Sequence, residues 1–501
     1  MNKKYLLGVD GGTEGIRAGI FDISGTPLAY ASTTYTTHFP APSWAEQDPN
    51  EWWNALGKSV RKAILDSGIV ADQIAAMAVD TTCCSVVALD SSGNPVRPAQ
   101  IWMDVRSTEQ AEQIVETADH ALRINSNGSG PVSSEWMIPK ALWIKQNEPE
   151  IFERAVTICE YQDYINLHLT GRLVASINNV SSRWHCDYSR DGVPKSLLKK
   201  LDLEELAEKW PQEVLRLGEA VGGLTSRAAE HLGLTPDLPV VQGGADAQIG
   251  MIGLGVVKPG SLALITGSSH LHLGLSEKPF YGTGIWGTYA DALLPGLHSV
   301  EGGQTSTGSV VNWLKNLFGE PDYAALNHDA LKLPPGSENL IVQEHFQGNR
   351  TPHTDPRSRG AFHGLTLKHG RAHLFRAAIE GVAFGSELIL ESMRSNGFCP
   401  GSVTVSGGAT RSELWLQIHA DVSNLNLTIT RNPDAPLLGC AILAAVGTGF
   451  YDDIPTAVEQ MVQVDRVIQP NAKVHADYQP FYETYKASYK ELRNIRKKLE
   501  V

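Results

Sequence analysis

The sequence predicts an α/β fold built from two similar halves. Three observations carry this reading. Apolar strand-like runs alternate with amphipathic helical stretches. Gly-rich turns stand directly after several of those strands, and the strand–turn–strand pattern that opens the chain begins again near Ser261. A chain of 501 residues suggests two to four domains, and the restart makes two large ones the better count, divided in the Gly-rich GMIGLGVVKPG as 1–250 and 251–501.

In chain order, YLLGVD, IRAGIFD and PLAYASTTY read as three short strands, with GGTEG and ISGT as the turns between them. From Glu51 a helix follows, because Trp52, Leu56, Val60 and Ile64 recur at four-residue spacing behind Asp48-Pro49. IAAMAVDTT from Ile74 is again a strand. Residues from about 105 to 235 read as mostly helical, interrupted by strand-like RLVASI at Arg172, and LPVVQGGAD from Leu238 is a buried strand. The second half opens with SLALITGSSHLHLGL, a strand, a small-residue turn and a strand. RAHLFRAAIEGVAFGSELILESMRSNG from Arg371 is a long helix, SVTVSGG a strand and SELWLQIHADV a helix. APLLGCAILAAVGTGF is a small-residue, tightly packing helix that completes this half. The closing KASYKELRNIRKKLEV is a basic amphipathic helix expected at the solvated surface.

Composition narrows the function. Apolar residues are 42% and charged residues 19%, as in a folded globular protein. A formal charge of -13 argues against a bulk electrostatic grip on nucleic acid or an anionic membrane. No run approaches the roughly 18 uninterrupted apolar residues of a membrane span, and MNKKYLLGVDGG meets Asp10 too early for a secretion signal. The six cysteines show neither a CxxC pair nor finger spacing, so reduced thiols in a cytoplasmic protein are the expectation.

Four Gly-rich turns follow strands: Asp10-Gly11-Gly12-Thr13, Gly243-Gly244-Ala245-Asp246, Thr266-Gly267-Ser268-Ser269 and Gly407-Gly408-Ala409. Such junctions bare backbone N–H groups to an anionic phosphate chain. Singly, each serves equally well as a plain turn; four together favour nucleotide binding. The common signatures are absent. Gly57-Lys58-Ser59 lacks the earlier Gly of a phosphate loop and lies on a helix, and Gly253-Leu254-Gly255 lacks the third Gly of a dinucleotide fingerprint. His270 and His272 share one face of a strand as a metal pair would, without a third ligand nearby.

Seven blocks then resemble, in order, those of the FGGY carbohydrate kinases: VDGGTEGIRAGIFD, IWMDVRS, GGADAQIGMIGLG, ITGSSHLHL, EGGQTSTGSVVNWL, RTPHTDPRSRGAFHGLTLKH and VSGGATRSELWLQIHADV. The resemblance implies two ribonuclease-H-like domains of the actin and hexokinase type flanking a central cleft, the first binding sugar and the second ATP. It also implies a role for each matching residue. Asp10 is the Mg-proximal carboxylate. Gly11, Gly12 and Thr13 line the phosphates from one side, and Thr266, Gly267 and Ser268 from the other. Gly308 and Asn312 lie near the adenine, and Gly407, Gly408 and Ser412 under the adenosine. Asp246 is the base that takes the sugar hydroxyl proton, its alternative use being to cap the helix that follows.

The substrate side resembles the ribulokinase-like branch in its TCxSVV-like run, in Trp102, Asp104 and Arg106, and in Glu301 before Gly302-Gly303-Gln304. Cys83 and Cys84 stand where, by the resemblance, xylulokinases carry Met-His and glycerol kinases Arg-Glu, a departure from both patterns, and they read either as substrate contacts or as small buried residues. Trp102 likewise reads as contact or core. The implied activity is phosphorylation of a terminal hydroxyl of a small sugar, foremost a pentulose such as ribulose, with ATP and Mg. Xylulose, glycerol or another polyol is the alternative substrate, and a non-catalytic actin-like nucleotide-binding protein the alternative class. By family analogy a homodimer is expected.

Overall fold

The computed structural model describes residues 4–498 apart from 129, 131, 283 and 321. The last three residues of the closing helical run, 499–501, lie outside that description.

Two mixed sheets organise the chain. The first contains β1 (Tyr5–Gly11), β2 (Gly15–Asp22), β3 (Pro27–Thr34), β4 (Ile74–Thr81), β5 (Ala220–Gly223) and β6 (Pro239–Ala245), in the order β5-β6-β4-β1-β2-β3. The hairpins β1–β2 and β2–β3 are antiparallel, whereas β4 runs parallel to both β1 and β6. Helix α1 (Pro49–Ser67) makes the crossover from β3 to β4. It begins at Asp48, whose side chain accepts the Asn50 N–H, and ends on Gly68 in the left-handed conformation. Helix α2 (Ile177–Arg183) lies between β4 and β5, and α3 (Asp246–Gly253) leaves β6 directly.

The second sheet repeats the plan. It contains β7 (Ser261–Thr266), β8 (His270–Ser276), β9 (Gly287–Ala290), β10 (His298–Gln304), β11 (Ser402–Gly407), β12 (Leu427–Thr430) and β13 (Val464–Ile468), in the order β9-β10-β8-β7-β11-β12-β13. Its central run β10-β8-β7-β11-β12 has the pairing sense of β3-β2-β1-β4-β6: two antiparallel neighbours, then two parallel ones. The restart at Ser261 is therefore a repeat of topology. The helices of this half are α4 (Gly308–Leu317), α5 (Arg371–Ser395), α6 (Glu413–Ser423), α7 (Ala435–Gly447) and α8 (Ala472–Lys497).

Helix α7 belongs to the second half in sequence and packs on the first sheet, where Leu437, Leu438, Ile442 and Leu443 join one core with residues of β1, β4 and α3 and with Ala263, Leu273 and Leu275 of the second sheet. Burying an aliphatic side chain contributes about 1.5–3 kcal/mol, so this helix binds the halves together. Its small residues explain the fit. A Cβ on Gly253 of α3 would stand 1.9 Å from the Ala435 carbonyl oxygen, and one on Gly439 of α7 would stand 2.2 Å from the Ile249 oxygen. Helix α8 is anchored by its first half, where Tyr478, Tyr482 and Tyr485 are buried and Tyr485 donates to Glu344 Oε2 at 2.8 Å, while no described residue from Lys486 onward is buried, as expected for the basic closing stretch. The region from 105 to 235 holds several short helices, but also a strand Thr157–Glu160 in a small four-stranded sheet.

Candidate active site

The parallel strands of each sheet end at the same level, and the chemistry gathers there. Asp10 stands in register with Arg17 on β2 and with Asp80 on β4, so all three side chains share one face. Arg17 Nε donates to Asp10 Oδ2 at 2.9 Å, and its Nη1 reaches Asp434, just before α7, at 2.5 Å. Asp80 is fully buried, and Cys440 Sγ donates to it at 3.2 Å. Burial first, then the neighbouring Asp10 and Asp246, hold the Asp80 carboxyl well above the usual carboxylate range. Asp10 Oδ1 is buried and takes no hydrogen bond among the described residues. Such an anionic oxygen suits a hard divalent cation or its water shell.

Asp246 opens α3. The cap position belongs to Ala245, and the Asp246 carboxylate instead accepts the Ala247 N–H at 2.7 Å. The turn is held from outside by Asn178, whose Oδ1 accepts the Ala245 N–H at 2.9 Å while its amide donates to Gln248 and to the Ala292 carbonyl. Burial, and then the charge of Asp10, push the Asp246 carboxyl up to about 7.

A cavity of about 720 Å³ lies between the halves, lined by Asp10, Gly12, Thr13, Trp102 and Asp246 from the first and by Ile265 and Ser406 from the second. Trp102 is partly exposed there, and its indole N–H donates to Thr13 Oγ1 at 2.9 Å. Gly11 does not line the cavity; it is packed against Thr81 and the Tyr161 ring. Gly243 and Gly244 are not an open turn either. They lie within β6, where a Cβ would strike the Val79 carbonyl oxygen at 2.0 Å or Asn178 Oδ1 at 2.7 Å. Close approach of backbones accounts for that pair.

On the second half the three predicted segments converge. Thr266 Oγ1 donates to the Ser406 carbonyl at 2.5 Å and accepts the Ala409 N–H at 3.2 Å. Gly308 N–H donates to the Gly267 oxygen at 3.2 Å, and the Ser268 oxygen accepts the Thr307 N–H at 2.9 Å. Gly407 has φ +90, and a Cβ on it would lie 1.8 Å from the Thr266 oxygen. Glycine is required at that position. Gly408 is bare on its outer side, and Gly267 and Ser268 are exposed. Asn312 lies one turn along α4 from Gly308 and accepts from the Tyr323 hydroxyl at 3.3 Å. Ser412 caps α6 through the Trp415 N–H and donates to Asn327 Oδ1 at 3.0 Å.

Beyond Asp246, Arg183 at the end of α2 joins the halves. It donates to Glu301 Oε2 at 3.0 Å and to the Tyr289 hydroxyl at 3.0 Å, while that hydroxyl donates to Glu301 at 2.9 Å. The same guanidinium acts electrostatically on Asp246 and on both thiols, Cys83 and Cys84. Of the expected sugar contacts Trp102 and Asp246 line the cavity, whereas Cys83, Cys84, Asp104 and Glu301 are not among its lining residues, and Asp104 is turned away into the protein. It is fully buried, its Oδ2 accepts the Ala45 N–H at 2.7 Å, and both of its oxygens are taken by Arg106. Arg106 also pairs with Glu46 at 2.8 Å and lies over the Trp44 ring at 3.7 Å. Asp104 is thus part of a buried ion cluster that braces the strap carrying Trp102. His270 and His272 are buried beside Trp415 and His419, and burial pushes both imidazoles down. Among the described residues no three metal-ligating side chains cluster.

Sequence reasoning missed Arg17, Asp80 and Arg183. Arg17 was legible, since a tight Gly11–Gly15 hairpin sets it opposite Asp10. Arg183 was not, because its partner Glu301 lies 118 residues further on.

Two sheets of one strand order, with carboxylates at the strand ends facing a shared cavity, define a two-domain enzyme scaffold of the ribonuclease-H-like, actin type. The chain belongs to the FGGY family of carbohydrate kinases: residues 5–253 match its N-terminal domain and 262–448 its C-terminal domain. It is similar to a xylulose kinase of Staphylococcus epidermidis, 30% identical over 99% of this chain and 98% of that protein. It is equally similar to a ribulokinase of Shouchella clausii, 30% identical over 96% of this chain and 94% of that protein. Among solved structures, xylulose kinase from Rhodospirillum rubrum superposes with a TM-score of 0.89 at 27% identity, covering 98% of this chain and 99% of that one. The protein is accordingly a sugar kinase.

Proposed function

We propose that the protein transfers the γ-phosphoryl group of ATP to a terminal primary hydroxyl of a pentulose, ribulose foremost and xylulose as the runner-up. The observation that carries this is Asp246, a cavity-lining carboxyl poised at about 7 beside Asp10. A general base works best with its pKa near the working pH.

In this reading the first half holds the sugar and the second the nucleotide. Trp102 flanks the sugar carbons, and the Arg183–Glu301 pair presents fixed donors and acceptors to its hydroxyls. Asp246 takes the proton of the attacking hydroxyl as the new O–P bond forms and the bond to the departing ADP oxygen breaks. Gly12, Thr13, Thr266, Gly267 and Ser268 supply N–H and hydroxyl groups to the phosphates, and Gly308, Gly407 and Gly408 leave room for the nucleoside. Asn312 and Ser412 serve the nucleotide loop chiefly by bracing it, given their partners Tyr323 and Asn327. Asp10, with its free Oδ1, and Arg17 behind it would hold Mg2+, which when bound neutralises charge on the transferring phosphoryl group.

The Asp246→Asn variant tests the role of Asp246. Sugar-dependent ADP formation should fall at least about a hundredfold while nucleotide binding persists; unchanged turnover would remove Asp246 from the reaction.

A further inference from the structure

Cys83 and Cys84 lie side by side just beyond β4, their sulfurs 3.7 Å apart. Cys83 is half-buried and Cys84 buried. Cys84 has φ +63, a left-handed backbone that costs a non-glycine residue on the order of 1–3 kcal/mol and persists only where the surroundings over-determine it. Two buried charges of opposite sign do so. Lys140 Nζ donates to the Cys84 carbonyl at 2.6 Å, and Glu160 Oε2 accepts the Cys84 N–H at 3.0 Å. Neither charge is free to move: Lys140 also donates to the Ile101 carbonyl at 2.6 Å, and the Trp184 indole donates to Glu160 Oε1 at 2.7 Å.

A small residue filling a strand end needs none of this, and glycine would adopt the same backbone without strain. The arrangement instead holds two neighbouring thiols at fixed separation. Burial pushes the Cys84 thiol up, with the Arg183 guanidinium opposing it only in part, and leaves the half-buried Cys83 as the more accessible sulfur.

We propose that Cys83 and Cys84 form a reversible oxidation site, at which a hydroperoxide converts the thiol pair into a disulfide between adjacent residues and, through Arg183, whose charge also acts on Asp246, lowers turnover. The effect on activity rests on the sugar-kinase reading; the chemistry does not. The Cys83 thiolate attacks one peroxide oxygen, the O–O bond breaks, and the released hydroxide takes a proton to leave as water. The Cys84 sulfur then attacks the Cys83 sulfenic acid, the S–O bond breaks, and a second water departs with the Cys84 proton. Two thiols and one hydrogen peroxide thus give one disulfide and two waters. Adjacent Cα atoms are about 3.8 Å apart, closer than the roughly 4.4–6.8 Å usual for disulfides. The bond is therefore strained and readily reduced.

The test uses the full-length Cys399→Ser protein, which lacks the exposed thiol, treated with hydrogen peroxide. The peptide spanning both residues should lose about 2 Da, the mass of two hydrogens, and regain it with dithiothreitol. Sugar-dependent ADP formation should fall at least about tenfold in step and recover, with binding of a fluorescent ATP analogue retained. Cys83→Ser should abolish the mass loss. A peptide that never loses two hydrogens, at a peroxide dose that oxidises Cys399 of the parent, overturns the proposal. A disulfide that forms without lowering activity overturns the effect on turnover. Were no sugar phosphorylated before oxidation, the mass change would still decide the site, so the two readings fail separately.

Discussion

Arg17 and Asp10 face each other across the first hairpin, and the guanidinium that donates to Asp10 at 2.9 Å also reaches Asp434 at the start of α7. One side chain therefore ties the cavity carboxylate to the helix that spans the two halves. Removing it as Arg17→Met leaves Asp10 without its counter-charge. Turnover is expected to fall about tenfold, the scale of one pKa unit of lost charge compensation. The acid limb of the pH–rate profile should move upward, because the Arg17 charge that helps to hold the Asp246 carboxyl down against burial and Asp10 is gone. Steady-state kinetics across pH check both.

The Asp246 carboxyl at about 7 must be ionised to accept a proton. Below that value kcat/KM should fall about tenfold per pH unit. Its folded-state pKa is raised, so the native protein binds more protons than the unfolded chain between roughly pH 4 and 7, and this group's contribution to stability declines as pH rises through that window. Asp246→Asn is thus expected to melt higher than the parent at pH 8 and not at pH 4, a difference that thermal unfolding at the two pH values reads directly.

Asp104 holds Arg106 and the Ala45 N–H in a buried cluster. Asp104→Asn leaves Arg106 under-compensated, and breaking a buried pair destabilises by about 3–5 kcal/mol. Denaturant unfolding should show that loss, whereas the ratio of kcat/KM values between competing sugars should stay within about twofold. Arg183→Met reverses the pattern, changing the sugar ratio because Glu301 and Tyr289 lose their shared partner.

Gly439→Ala places a methyl group 2.2 Å from the Ile249 oxygen, where α3 and α7 cross. Backbone cannot retreat as a side-chain tip can, so a loss of about 1–3 kcal/mol is expected. The urea midpoint should fall accordingly.

How far the sequence carried depended on the range of the interaction. β1, β2, β3, α1 and the repeat at Ser261 follow local periodicity and turn chemistry, and they appear within a residue or two of expectation. The second-half turns were legible because Gly407 must tolerate a positive φ. Helix α7 was legible as a tightly packing helix but not the sheet it packs on, since an all-apolar helix announces burial without naming the sheet that buries it. Asp104 reads as a site residue because it neighbours Trp102. Only the backbone fold turns its carboxylate inward to Ala45 and Arg106.

The most direct test of the account is coupled ADP release from Mg-ATP over a panel of ketoses and polyols, run with the parent protein and with Asp246→Asn. Strong release is expected with a pentulose, ribulose foremost, weak release with glycerol, and none above background in the variant. No sugar-stimulated release with any panel member, or equal release from the variant, would contradict it.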